Sequence, residues 1–304
     1  MKSFRFSCFF ALEGYLRAAR VESWLGWFFS FFFGCIFLGL PSLERTAIAS
    51  VAFSFATASI FVLNQYFDRE EDQKNLIKSN LPIASGKMMP QTALIFSFLL
   101  ITSCLALTVF TDVNLAPLFL IYLALWTAYS APPFRLKAVP TVDFIISGIG
   151  AGLLPFLIGV SVSRPPIINI LIILLSAIPL MLAHCSGHVL QALGDYEADR
   201  KAGVQTFVVK HGRKKGAALM GLLSLATGAF PFIYTGFGLF SPSYIPLFFI
   251  PLPFCIPIAR CYVNVLKDPT TENVVALHKT LRKWGVLIMF VVEIYVLAGK
   301  ILAF

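Results

Sequence analysis

The sequence predicts an all-α, polytopic membrane protein, and three observations carry that prediction. Hydrophobic residues make up 58% of the 304 residues and charged residues only 13%, whereas soluble domains carry roughly 25% charged residues. The apolar residues are gathered in blocks close to the ~20 residues that a helix needs to cross a bilayer. Lys and Arg are distributed unevenly among the polar segments that separate these blocks.

Nine apolar blocks are predicted to be transmembrane helices within one integral-membrane domain, residues 1–304. Charge interrupts residues 1–20 and no clear cleavage site follows, so a cleavable signal peptide is not expected. The blocks span approximately 23–40, 46–67, 91–110, 115–131, 142–162, 167–193, 216–237, 244–263 and 284–303.

The cationic residues predict an amino terminus on the cytoplasmic side of the cell membrane. With that orientation, only Arg45, Arg164 and Lys300 of the 24 Lys and Arg residues lie outside, as the positive-inside rule requires. The net charge of +9 is then explained by basic segments that are attracted to anionic membrane lipid. Nucleic-acid binding is not expected, because no basic domain stands outside the membrane. The six cysteines are scattered without a CxxC pair and are interpreted as packing residues.

Two acidic stretches follow long apolar blocks and are predicted to face the cytoplasm. In the first, Asn64, Asp68 and Asp72 are spaced i, i+4, i+8, which places them on one helix face. The second contains Asp195 and Asp199 at the same spacing. Together the two stretches hold seven of the 15 acidic residues. Such a concentration at a membrane rim is self-repelling and therefore needs a functional reason.

Carboxylates four residues apart on a helix converge on a hard cation. Oxygen ligands favour Mg²⁺, which usually also binds substrate phosphates. Two such clusters, facing each other across a cavity, would hold two Mg²⁺ ions around a diphosphate. The alternative is that the charges simply cap helices and stop transfer, but two clusters on the same side argue against it. Nearby cations available to bind the remaining diphosphate oxygens are Lys78, Arg135, Lys137, Arg200 and Lys201.

A stripe of polar residues leads into the second acidic stretch. His184, His188 and Gln191 precede Asp195 at steps of 4, 3 and 4 on an otherwise apolar helix. Polar groups at membrane depth usually face a protein interior or a water-filled cavity, so these three are predicted to line one. The histidine pair also has a spacing suited to a transition metal, but no HExxH glutamate accompanies it.

The two halves of the chain predict an internal duplication, with halves at about 15–130 and 142–304. Each half runs from an apolar helix to DxxxD, a polar connection, a glycine followed by a cation, and another apolar helix.

The chain resembles the UbiA superfamily of intramembrane prenyltransferases through four ordered segments. Residues 64–72 fit the family motif NxxxDxxxD, and residues 195–203 fit its DxxxD motif followed by glycine. Residues 81–86 (LPIASG) resemble the loop after the first motif, and residues 129–133 (YSAPP) the segment after the fourth helix.

Outside these segments, Arg20 near Trp24 resembles the family's N-terminal arginine. Two positions depart from the pattern. Gln65 stands where many members have aspartate, which removes one possible ligand. Val21 stands where proline often follows the arginine.

The resemblance implies nine helices around a central cavity that opens to lipid. It also implies Mg²⁺-dependent transfer of an isoprenoid chain, through an allylic carbocation, from a prenyl diphosphate such as geranylgeranyl diphosphate. The acceptor would be lipophilic: an aromatic quinone precursor, a polar lipid, a carotenoid or a chlorophyll-type alcohol.

We expect Asn64, Asp68 and Asp72 to hold one Mg²⁺ and Asp195 and Asp199 the other, with the four aspartates catalytic. Glu71 and Glu197 are weaker candidates as ligands. The predicted substrate contacts are Arg20, Lys78, Tyr129, Arg135, Lys137, His188, Gln191, Arg200 and Lys201.

Two other classes of membrane protein compete with this interpretation. An ion-coupled transporter would carry ionisable residues at mid-membrane, and only Asp143 and Glu293 are candidates; it would not require paired DxxxD motifs. A CDP-alcohol phosphotransferase would carry a DGxxAR signature, which is absent.

Overall fold

The computed structural model describes residues 13–75, 78–164, 169–238 and 241–302, and these contain helices but no strands. Residues 13–19 form helix α1. The other helices are α2 (Leu25–Phe37), α3 (Leu43–Lys74), α4 (Pro90–Thr111), α5 (Ala116–Ser130), α6 (Val142–Gly148), α7 (Leu154–Ser163), α8 (Ile170–Ala202), α9 (Phe207–His211), α10 (Arg213–Gly236), α11 (Pro246–Phe249), α12 (Leu252–Lys267), α13 (Thr271–Thr280) and α14 (Val286–Leu302). A π-helical turn joins α6 to α7, and another joins α13 to α14.

Seven helical segments among the described residues are long and apolar enough to cross a membrane, which confirms the polytopic all-α class. Within the part of the chain that the structure describes, all nine predicted blocks overlap helices. The first block, however, corresponds to only 13 helical residues in α2, and the eighth is divided between α11 and α12. Proline explains that division, because Pro251 and Pro253 at the break lack the amide hydrogen that a continuous helix requires. The predicted count of nine spans stays a prediction.

The chain divides into two compact units. One comprises Met1–Trp24 and Leu43–Leu136, and the other comprises Leu25–Ser42 and Lys137–Phe304. The first unit therefore carries the first acidic motif, and the second unit carries the other. The single-domain assignment and the internal duplication stay predictions.

In the first unit, α3 packs along α4 and also holds α1. Gln65 is buried, and its amide Nε2 donates to the Ala18 carbonyl at 2.6 Å. The residue that departs from the family pattern thus fixes α1 against the helix that bears the motif. At the far end of α4, Arg45 and Asp112 form an ion pair at 2.9 Å, which ties the α4–α5 connection to the start of α3.

In the second unit, two glycines allow α2 and α7 to approach at backbone distance. A Cβ atom at Gly34 would lie 2.2 Å from the Phe156 carbonyl oxygen, and one at Gly159 would lie 2.0 Å from the Phe31 carbonyl oxygen. Small residues at helix interfaces are typical of membrane helices, whose association depends on close packing. Helix α8 packs against α6 and α10 in the same unit, and α8 carries the second motif.

Candidate active site

The first motif occupies the last turns of α3, and the predicted helical spacing is confirmed there. Asp68 and Asp72 are both buried, each with 7% of its surface exposed. The Asn64 amide Nδ2 donates to Asp68 Oδ2 at 2.8 Å and to Ser130 Oγ at 3.1 Å. Because Ser130 is the last residue of α5, these bonds fix the motif face against the end of a second helix.

Arg135 completes this cluster from the connection that follows α5. Its Nη2 atom lies 3.8 Å from Asp68 Oδ1, and it forms an ion pair with Glu71. The backbone of Arg135 is left-handed (φ 40°), and its amide donates to the Ala131 carbonyl. The structure thus brings together Asn64, Asp68 and Arg135, three of the residues that the sequence assigns to the site.

The other predicted residues of the first unit lie around this cluster in different settings. Arg20 stacks its guanidinium over the Phe61 ring at 5.5 Å. Lys78 lies in the turn after α3, where its amide donates to the Asn75 carbonyl. Tyr129 contacts the Trp126 ring edge to face, with centroids 5.1 Å apart. Arg135 is therefore a close cationic partner of the motif carboxylates in this unit.

The first unit also contains an apolar cavity of about 580 Å³. It is lined by α1, α3 and α4, including Ala19, Val21 and Phe96, and none of its lining residues belongs to the acidic motif. We therefore do not assign the reaction to this cavity.

The second motif lies in the last turns of α8, where Asp195 and Asp199 are half-buried. The helix ends at Ala202 and is followed by Gly203 at the C-cap, whose positive φ of 76° suits glycine. The Thr206 side chain then caps α9 by accepting from the Val209 amide at 3.2 Å. The predicted glycine after the motif therefore acts as a helix C-cap.

Arg213, the first residue of α10, contacts the middle of the second motif. Its guanidinium lies 4.9 Å from the Tyr196 ring centroid, and Nη2 lies 3.8 Å from Glu197 Oε1. The same side chain donates to the Pro269 carbonyl at 3.3 Å and to Thr271 Oγ1 at 3.2 Å. The sequence marks Arg213 only as part of a basic run, and no spacing rule relates it to Tyr196.

The two histidines of the polar stripe on α8 contact two different neighbouring helices. His184 Nε2 lies 3.2 Å from both Ser30 Oγ and the Gly26 carbonyl on α2. His188 Nε2 lies 4.0 Å from Asp143 Oδ2 on α6. The two ring nitrogens are directed at different helices, so these contacts do not form a metal-binding pair.

Asp143 has a structural contact that the sequence did not indicate. In the sequence it is notable only as an ionisable residue near the start of a helix. It is 1% exposed, and its Oδ2 accepts from the Phe207 amide at 2.8 Å. Asp143 thus anchors the beginning of α9, directly after the segment that follows the second motif.

The remaining predicted substrate contacts lie in the second unit. Gln191, Arg200 and Lys201 are exposed on α8, and Lys137 is half-buried in the short turn after residue 136. The assignment of these four side chains as substrate contacts stays a prediction.

The donor chemistry of both motifs fits Mg²⁺. Within residues 13–75, 78–164, 169–238 and 241–302, no three His, Cys, Asp or Glu side chains converge as a ready-made metal cage. This agrees with how proteins bind Mg²⁺, which uses one or two carboxylates and takes its remaining ligands from water and substrate phosphate. Buried carboxylates such as Asp68 are suited to that role because they are already held in place.

Comparison with known proteins gives a consistent result. The sequence profile of the UbiA prenyltransferase family matches residues 7–281. The chain is 25% identical to digeranylgeranylglyceryl phosphate synthase of Pyrococcus abyssi, over 77% of this chain and 79% of that protein. It is 28% identical to lycopene elongase/hydratase of Halobacterium salinarum, over 71% of this chain and 78% of that protein.

The fold is also similar to solved structures. A UbiA homologue from Archaeoglobus fulgidus, solved with GPP and Mg²⁺, superposes with a TM-score of 0.70 and 20% identity. The match covers 94% of this chain and 99% of the homologue. At that identity the likeness establishes the fold.

Proposed function

The chain belongs to the UbiA prenyltransferase family, and on that premise we propose which residues of this membrane enzyme hold its Mg²⁺ and substrates. It transfers an isoprenoid chain from a prenyl diphosphate to a lipophilic acceptor. Family membership decides in favour of the transferase over the ion-coupled transporter. We further propose its metal ligands, the length of its prenyl donor, its acceptor and the side of the membrane that its motifs face.

We assign one Mg²⁺ to Asn64, Asp68 and Asp72 and one to Asp195 and Asp199. The observation that carries this assignment is the hydrogen-bonded cluster at the end of α3, where two carboxylates are buried and one of them is held by Asn64. Bound Mg²⁺ would neutralise the leaving diphosphate, which favours cleavage of its bond to C1 of the prenyl chain.

The residues of the chain then have separate tasks. Asn64 orients Asp68, since its amide bridges that carboxylate and Ser130. Arg135 neutralises Asp68 and Glu71, and its planar guanidinium suits two-point binding of a diphosphate. When the diphosphate leaves, the acceptor attacks C1 of the allylic cation and loses its proton.

The remaining substrate contacts are proposed from their place in the sequence near the two motifs. We place Arg20, Lys78 and Tyr129 on the diphosphate or acceptor together with Lys137. His188, Gln191, Arg200 and Lys201 are assigned likewise through their place on the helix that bears the second motif.

For substrates, we propose geranylgeranyl diphosphate as donor and a polar-lipid or carotenoid acceptor. The support is that relatives matching more than two thirds of this chain are named for a digeranylgeranylglyceryl phosphate and for lycopene. We also propose that both motifs face the cytoplasm, because that orientation leaves only three of the 24 Lys and Arg residues outside.

The experiment that tests the assignment is diphosphate release from geranylgeranyl diphosphate by purified protein in lipid, with Mg²⁺ or EDTA and a panel of acceptors. Asp68→Asn and Asp195→Asn are compared with a control, Asp112→Asn. That control alters a buried carboxylate at the C-terminal end of α4, which belongs to neither motif. We expect Mg²⁺-dependent, acceptor-stimulated release that the first two variants lose by about 100-fold or more, as is typical for loss of a charged transition-state contact. Release that survives in either variant would refute that motif's role.

Orientation is tested separately. A cysteine placed at exposed Glu70, in a cysteine-free background, should react with a membrane-impermeant maleimide in inside-out vesicles and not in intact cells. Labelling in intact cells would place the first motif on the outer side.

A further inference from the structure

We propose that Arg213 is a positioning residue of the second motif, which sets the rotation of α8 and so the direction of Asp195 and Asp199. The proposal rests on the proposed function, because it assumes that these two carboxylates bind Mg²⁺. Arg213 itself is assigned no contact with metal or substrate.

Tyr196 and Glu197 lie on a different part of the α8 surface from the two aspartates. At about 100° per residue, Asp195 and Asp199 are about 40° apart, whereas Tyr196 and Glu197 lie about 100° and 200° around the helix from Asp195. Tyr196 and Glu197 therefore project away from the metal-binding face. A group that holds both of them fixes the rotation of the helix without occupying the metal site.

Arg213 has that arrangement of contacts. It stacks on Tyr196 at 4.9 Å and lies 3.8 Å from the Glu197 carboxylate. It is fixed in turn by the Pro269 carbonyl and the Thr271 hydroxyl at the α12–α13 connection. A chain of contacts thus runs from that connection through Arg213 to the motif.

The motif has particular need of such support. Asp199 lies only three residues before Ala202, the last residue of α8, and the final turns of helices fray. The chemistry of arginine also matters. Its planar guanidinium stacks on the Tyr196 ring, donates hydrogen bonds to two oxygens and lies in ion-pair range of Glu197, whereas a lysine ammonium has no planar face to stack.

The test compares Arg213→Lys and Arg213→Ala with Lys214→Ala, an exposed neighbour on the same helix. Binding is measured with Mn²⁺ as a paramagnetic substitute for Mg²⁺, by electron paramagnetic resonance in the presence of the unreactive geranylgeranyl thiolodiphosphate. A second readout is the KM and kcat of diphosphate release, and thermal unfolding in detergent monitors the fold.

We expect both Arg213 variants to weaken Mn²⁺ binding by about 10-fold, the lower end of the effect of removing a group that orients metal ligands. Lys214→Ala should bind as the wild type does. Folded Arg213 variants with unchanged Mn²⁺ affinity would overturn the proposal, as would full recovery in Arg213→Lys. Arg213→Lys is the milder change and serves as the test if Arg213→Ala does not fold.

Mn²⁺ binding by Asp195→Asn distinguishes failure of the positioning role of Arg213 from failure of the metal assignment of the second motif. Loss of Mn²⁺ binding in Asp195→Asn together with wild-type binding in the Arg213 variants refutes the positioning role alone. Wild-type binding in Asp195→Asn refutes the metal assignment of the second motif.

Discussion

Arg135→Gln removes a cation that lies 3.8 Å from Asp68 Oδ1 and pairs with Glu71. If the proposed site is right, we expect this guanidinium to compete with Mg²⁺ for the same carboxylates in the absence of substrate. With a prenyl diphosphate present, we expect it to bind the diphosphate instead. The variant should therefore change metal binding and substrate binding in opposite directions.

The magnitude follows from the distance and the exposure. Two unit charges 3.8 Å apart attract by about 4 kcal/mol at an effective dielectric constant of about 20. Because 34% of the Arg135 side chain is exposed, solvent screening and side-chain entropy reduce this to about 1 kcal/mol. Since 1.4 kcal/mol corresponds to a tenfold change, we expect Mn²⁺ binding without diphosphate to become about fivefold tighter.

The assay is the same Mn²⁺ titration, followed by KM for geranylgeranyl diphosphate, which should rise by at least about fivefold for loss of a charge-assisted contact. The matched control is Arg69→Gln, which removes a cation from α3, the helix that carries Asp68. Arg69 pairs with Glu70, whose side chain is 77% exposed, so the control should alter both quantities little. Mn²⁺ binding that is equal or weaker in Arg135→Gln than in Arg69→Gln would refute the reasoning.

Two further predictions concern packing and anchoring in the second unit. Gly159→Ala should lower the free energy of unfolding by about 3 kcal/mol, near the upper end of usual overpacking costs, because the added Cβ would lie 2.0 Å from the Phe31 carbonyl oxygen. Thermal unfolding in detergent measures this loss. The control Gly187→Ala should show no such loss, since a Cβ there meets nothing within 4 Å. Asp143→Ala should lose about 2 kcal/mol with the hydrogen bond to the Phe207 amide, whereas Asp143→Asn keeps an acceptor oxygen and should unfold near the wild-type temperature. Equal loss in both Asp143 variants would show that charge, and not this bond, is what matters.

The sequence was sufficient for the class of protein and for the elements that bear the motifs. Hydropathy places the helices because each apolar block must satisfy its backbone hydrogen bonds within itself when it lies in lipid. The i, i+4, i+8 spacing of Asn64, Asp68 and Asp72 is a local property of one helix, and α3 confirms it. The family was likewise recognisable, since its motifs are short and continuous in the chain.

Tertiary structure decided the partners of those residues. Nothing in the sequence relates Asn64 to Ser130, Glu71 to Arg135 or Arg213 to Tyr196, because the paired residues lie on different elements. The division of the eighth apolar block was missed because hydropathy averages over proline. Local spacing determines which side chains share a helix face, but packing between helices determines which donor or cation each of those side chains meets.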